Sequence, residues 1–109
     1  MSHKLSRIQL SELFERVSKQ LQGQPIEVQV ASLKLGERVQ ANWLPLLGLS
    51  YDVQDDSIEI VLRGLDVTVP KPREIHFESA GGQWSALDIV DAEGVQHAVE
   101  FKEPLFLRT

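Results

Sequence analysis

The sequence predicts an α+β fold: one N-terminal helix packed on an antiparallel, strongly bent sheet, or a partly closed barrel, of about six or seven strands. Three observations carry this. Apolar residues recur at helical spacing over one long stretch, at Leu10, Leu13, Phe14, Val17 and Leu21. After Pro25 the apolar period changes from that of a helix to the alternation of a strand. Turn residues then punctuate the chain at Gly36, Gly48, Gly64, Gly81-Gly82 and Gly94, too closely for helical crossovers between parallel strands.

Each element has its own signal. Ser6 followed three residues later by Gln9 forms a capping box, and Gly23 with Pro25 stops the helix, which therefore runs from about Arg7 to Gln22. Ile26, Val28 and Val30 alternate with Glu27 and Gln29 as a half-buried first strand. Val39, Ala41 and Trp43 form a second, with Trp43 in phase with the core positions. Leu44-Pro45-Leu46 reads as a bend, since proline cannot donate within a central strand. Leu47, Leu49 and Tyr51 then point inward and face Ile58, Ile60 and Leu62 across the turn at residues 52–56, a hairpin. Val67 and Val69 make a short extended piece before the rigid loop Pro70-Lys71-Pro72. Ile75 and Phe77 point inward, opposite Glu74, His76 and Glu78. A last hairpin joins Trp84–Val90 to Val95–Lys102 through Asp91-Ala92-Glu93-Gly94. The strands occupy about 25–103, spaced as a meander, and a short apolar tail, Leu105-Phe106-Leu107, follows.

Totals narrow the function classes. A chain of 109 residues, 42% hydrophobic, is a single domain over 1–109 with enough apolar side chains for a core. The absence of cysteine excludes disulfides, thiolate metal sites and a cysteine nucleophile. A net charge of −5 repels phosphate backbones and anionic lipids, so neither nucleic acid nor membrane is an expected partner. No leader or spanning stretch is visible, which points to the cytoplasm.

Residues able to carry chemistry are few. Asp52, Asp55 and Asp56 offer oxygen ligands for a divalent cation, but without EF-hand spacing; turn formation accounts for them equally well. Arg63 and Arg73 flank the proline loop, where an anion could sit. His76 lies between Glu74 and Glu78 on one strand face, and His97 shares phase with Val95, Val99 and Phe101. Nucleophile elbow, phosphate loop and dinucleotide fingerprint are all missing. No catalytic, cofactor-binding or metal residue is assigned, and no cofactor is expected. The candidate contact residues are Leu44, Pro45 and Leu46 at the bend, Trp84 after the glycine pair, and Leu105 and Phe106 in the tail.

The order of landmarks resembles a known family. Val28-Gln29-Val30-Ala31-Ser32-Leu33 leads to Gly36, then come Trp43 to Asp52, Asp55-Asp56-Ser57-Ile58-Glu59-Ile60, Gly64-Leu65-Asp66, Pro72-Arg73-Glu74-Ile75, Val90 to Gly94 and Glu103-Pro104-Leu105. This pattern, over nearly the whole chain, is similar to the DUF5335 family of small bacterial proteins of unknown function. Members often carry histidine directly after the Gly-Leu-Asp triplet; here that position is Val67. The resemblance implies a fold and transfers no catalytic residue. The resulting expectation is a non-enzymatic interaction or accessory domain with a protein partner or a second copy of itself, as a homodimer. Two alternatives stand beside it: a small-ligand or divalent-metal module using the Asp52–Asp56 turn or the Arg63/Arg73 loop, and a small enzyme using His76 or His97 with a carboxylate.

Overall fold

The computed structural model describes residues 6–32 and 36–105. Helix α1 spans Arg7–Leu21. Ser6 Oγ accepts from the Gln9 amide at 3.2 Å and Gln9 Oε1 accepts from the Ser6 amide at 3.0 Å, so the capping box is reciprocal. The helix ends at Leu21, one residue short of the expected end; Gln22 is the C-cap, and Gly23 follows at φ +86°, a conformation open to glycine at little cost. The buried stripe is Leu10, Phe14, Val17 and Leu21.

Seven strands follow: β1 Pro25–Ser32, β2 Gly36–Asp52, β3 Ser57–Leu62, β4 Leu65–Pro70, β5 Pro72–Ala80, β6 Gln83–Asp91 and β7 Gln96–Leu105. They form one antiparallel sheet in the order β4-β3-β2-β1-β7-β6-β5. The architecture is two meanders, β1 to β4 and β5 to β7, joined where β1 pairs with β7. The sheet is not closed, so the partly closed barrel gives way to an open sheet with β4 and β5 at its edges. These two are consecutive in the chain, but the single residue between them, Lys71 at φ +48°, is too short a link for an antiparallel hairpin.

The stretch expected as two strands about a bend is one strand of 17 residues. It changes partner midway: Gly36–Pro45 pairs with β1 and Leu46–Asp52 with β3. Register shifts place extra β2 residues between Val39 and Ala41, between Ala41 and Leu44, and between Leu46 and Gly48. Trp43 adopts φ +56° within the second of these bulges. A one-residue slip turns side chains to the opposite face. Three inward expectations are corrected for this reason. Val39 is 55% exposed, Leu47 is 50% exposed while Leu46 takes the inward place at 1%, and Trp43 is 37% exposed, with Lys102 Nζ 5.8 Å from its ring centre.

The helix and the inner sheet face share one apolar cluster, in which Phe14, Val17, Ile26, Val28, Ile58, Ile60, Val69, Leu87 and Ile89 are fully buried. Each such side chain contributes roughly 2 kcal/mol on removal from water. Ser18 Oγ accepts from the Leu49 amide at 2.9 Å, so the helix also satisfies a backbone donor on β2. Among the described residues no helix is long and apolar enough to cross a membrane.

Candidate functional site

The residues singled out from sequence have unequal fates. At the bend, Leu46 is sealed in the core: its carbonyl accepts from the Gly23 amide at 2.7 Å and its amide donates to the Gln24 carbonyl at 2.9 Å. Leu44 and Pro45 are half-buried. The exposed apolar groups of this region are instead Trp43 and Leu47, with Val39 further along β2. Trp84 is half-buried, its ring 4.3 Å from that of Phe77, which in turn meets Phe14 edge-on at 6.4 Å. It therefore helps bracket the helix. The Leu105 backbone pairs with Trp84 at the end of β7, and Phe106 lies outside the described residues.

The acidic turn is occupied by the protein itself. Asp52 Oδ1 accepts from the Gln54 and Asp55 amides at 2.9 and 3.1 Å. Asp56 accepts from the Tyr51 hydroxyl at 2.6 Å and from Arg73 at 3.2 Å, and pairs with Arg7 at 3.5 Å. The Tyr51 hydrogen bond, then the two arginines, hold the Asp56 carboxyl below its ordinary range against the effect of burial. Burial, then the Asp56 bond and charge, raise Tyr51. This network staples the start of α1, the β2–β3 turn and the start of β5, and it engages Asp56 and Arg73, two of the groups that a metal or anion would require. Among the described residues no group of three or more ligating side chains converges on a metal position.

His97 is buried beside Asp91, Nε2 to Oδ2 3.1 Å. Asp91 Oδ1 also accepts from the Glu93 and Val95 amides at 2.9 and 3.1 Å, which shapes the β6–β7 turn. Burial pushes the Asp91 carboxyl up, but the His97 ring and the two amides together hold it below its ordinary value. One nitrogen of His97 is committed to Asp91 and the other is sealed without a partner. A general base needs a nitrogen that reaches its substrate, and this ring offers none.

His76 belongs to a larger arrangement, on the sheet face turned away from α1. Across β2, β1, β7, β6 and β5 the register aligns outer residues in rows. Glu27, Glu100, Ala86 and Glu78 form one; Val39, Gln29, Ala98, Asp88 and His76 the next; Glu37, Ala31, Gln96, Val90 and Glu74 the third. The last two rows border a concavity of about 320 Å³, with Ala31 and Ala98 among its walls. The three rows contain six carboxylates and neither lysine nor arginine. Glu27 lies directly opposite Glu100, a like-charge pairing that costs stability in an antiparallel ladder. Asp88, opposite His76, is pushed up to about 6 by burial first, then by its hydrogen bond to Glu78 and the charges of Glu78 and Glu100, with His76 pulling the other way. The arrangement is thus a shallow, small-residue trough in which carboxylates outnumber cationic groups, with His76 inside it and Lys102 at its border. Sequence alternation had placed Glu74, His76 and Glu78 on one outward face. Asp88 and Glu100 join them only through the register of β5, β6 and β7, which alternation within one strand does not encode.

The whole chain, residues 1–109, matches the model of a family of unknown function, DUF5335. A protein of Aquifex aeolicus (strain VF5), described as uncharacterized, is 34% identical over 95 residues, 86% of this chain and 86% of that protein. No solved structure matches.

Proposed function

We propose that this chain, which belongs to the DUF5335 family, is a non-enzymatic interaction domain whose docking surface is the outer face of β1, β5, β6 and β7 with the first half of β2. The observation that supports this reading is the trough itself, a concavity of about 320 Å³ on a sheet face that α1 does not cover. Residues that oppose their own neighbours there, Glu27 against Glu100 and Asp88 against Glu78, lower the stability of the isolated chain. Local choices that work against the fold mark places where a sequence answers to something besides folding.

A photoreactive side chain introduced at Gln96, inside the trough, tests this in the native host. The expected result is a cross-linked adduct of one discrete mass. The same group at Thr68, exposed on β4, should give none. Adducts from neither position, or equal adducts from both, refute the reading.

A further inference from the structure

Resting on that docking face, we infer its partner's chemistry: an extended, lysine- or arginine-rich polypeptide segment lying across the strands. Charge and geometry together select this occupant. The rows hold Glu27, Glu37, Glu74, Glu78, Asp88 and Glu100 against the single ring of His76, and the cation at their border, Lys102, lies 5.8 Å from the Trp43 ring centre, so an incoming partner supplies most of the counter-charge. The acids are spread out, not convergent. Glu37 on β2 and Glu74 on β5 are separated by four strand spacings, roughly 19 Å at about 4.8 Å each. A single ion cannot bridge that span, and no metal-holding group forms among the described residues. An extended segment of about six residues, at about 3.4 Å per residue, covers it.

The floor suits a chain rather than a compact cation. Alanines at 31 and 98, in the walls of the concavity, leave room for the aliphatic stems of lysine or arginine to lie along the sheet while their heads reach the carboxylates. A second copy is disfavoured at this face, because two such faces carry the same charge. Asp88 gains most from the partner: a cation beside it relieves the repulsion from Glu78 and Glu100 and returns its carboxyl toward the ionised form.

The test titrates the full chain, ¹⁵N-labelled, with an eight-residue peptide of alternating lysine and serine, at low salt and neutral pH. The controls are a glutamate–serine peptide, spermine and Mg²⁺. Saturable shifts in amides of β1, β5, β6 and β7, lost progressively with salt, are expected for the lysine peptide alone. The double substitution Asp88→Asn with Glu100→Gln should weaken binding about tenfold. It should also leave the protein at least as stable in the same buffer, so lost binding cannot be ascribed to misfolding. No binding of the lysine peptide, shifts mapping elsewhere, equal affinity for spermine or Mg²⁺, or unchanged affinity in the double variant each overturn the inference. If the lysine peptide fails while the cross-linker at Gln96 still captures a partner other than a second copy, the polybasic assignment falls and the docking face stands. If both fail, both fall.

Discussion

Replacing Asp88 with asparagine should stabilise the protein at about pH 8 and leave it unchanged near pH 3.5. The sign follows from where the proton is held. The Asp88 carboxyl is pushed up to about 6 in the fold from an ordinary value of 3.8. Below about 3.8 both folded and unfolded chains carry the proton, and the side chain contributes no pH-linked term. Between about 3.8 and 6 the unfolded chain loses its proton first, so stability falls as pH rises; above about 6 the penalty is complete. A rise from 3.8 to about 6 sets a ceiling of about 3 kcal/mol. Asp88 is only half-buried, so solvent screening reduces this to about 1 kcal/mol. Asparagine fills nearly the same volume, has no charge to lose, and can donate to Glu78. For a domain of this size the gain corresponds to roughly 4–5 °C in Tm. Calorimetry of both proteins at the two pH values is the assay. A destabilised variant at pH 8, or an equal gain at both pH values, would refute the electrostatic reasoning.

Other perturbations probe the parts that hold this face in place. Leu46→Ala should cost about 3 kcal/mol in urea denaturation and Leu47→Ala less than about 0.5, because the β2 bulge buries the first and exposes the second; equal costs would contradict the register. Asp56→Asn should cost about 1–2 kcal/mol at neutral pH, since Tyr51, Arg7 and Arg73 lose their shared carboxylate while asparagine still tolerates φ +50°. Its folded carboxyl is held low, so the wild-type advantage is present above the unfolded value and fades as pH falls through the folded one. Ser6→Ala should cost about 1 kcal/mol through the lost cap, visible as earlier thermal loss of helical circular dichroism.

Local chemistry was legible and long-range register was not. The helix could be read because its signals lie within a turn of what they control: Ser6 caps Gln9, and Gly23 ends what Leu21 continues. The β2–β3 hairpin was legible because Tyr51 and Ile58 face each other across a short turn. The bulges were hidden. Nothing in the alternation of Val39, Ala41 and Trp43 says that an extra residue intervenes on either side of Ala41, nor does anything in that of Leu47, Leu49 and Tyr51 reveal the one between Leu46 and Gly48, so alternation alone puts Val39, Trp43 and Leu47 on the wrong face. The trough was half visible. Glu74, His76 and Glu78 share one strand, but Asp88 and Glu100 join them only through the pairing of β5 with β6 and of β6 with β7, and Glu27 only through β1 with β7.

That last pairing bears on how the chain acquires its shape. β1 and β7 lie side by side at the middle of the sheet, yet about 65 residues separate Ser32 from Gln96. On a ribosome, β1 emerges early and waits with one flank bare until β7 is made. The closing of so long a loop is slow, which puts folding nearer milliseconds to seconds than microseconds. Until it closes, the Ile26–Val28 flank of β1 is a sticky edge, and the window for misassembly is set by translation speed.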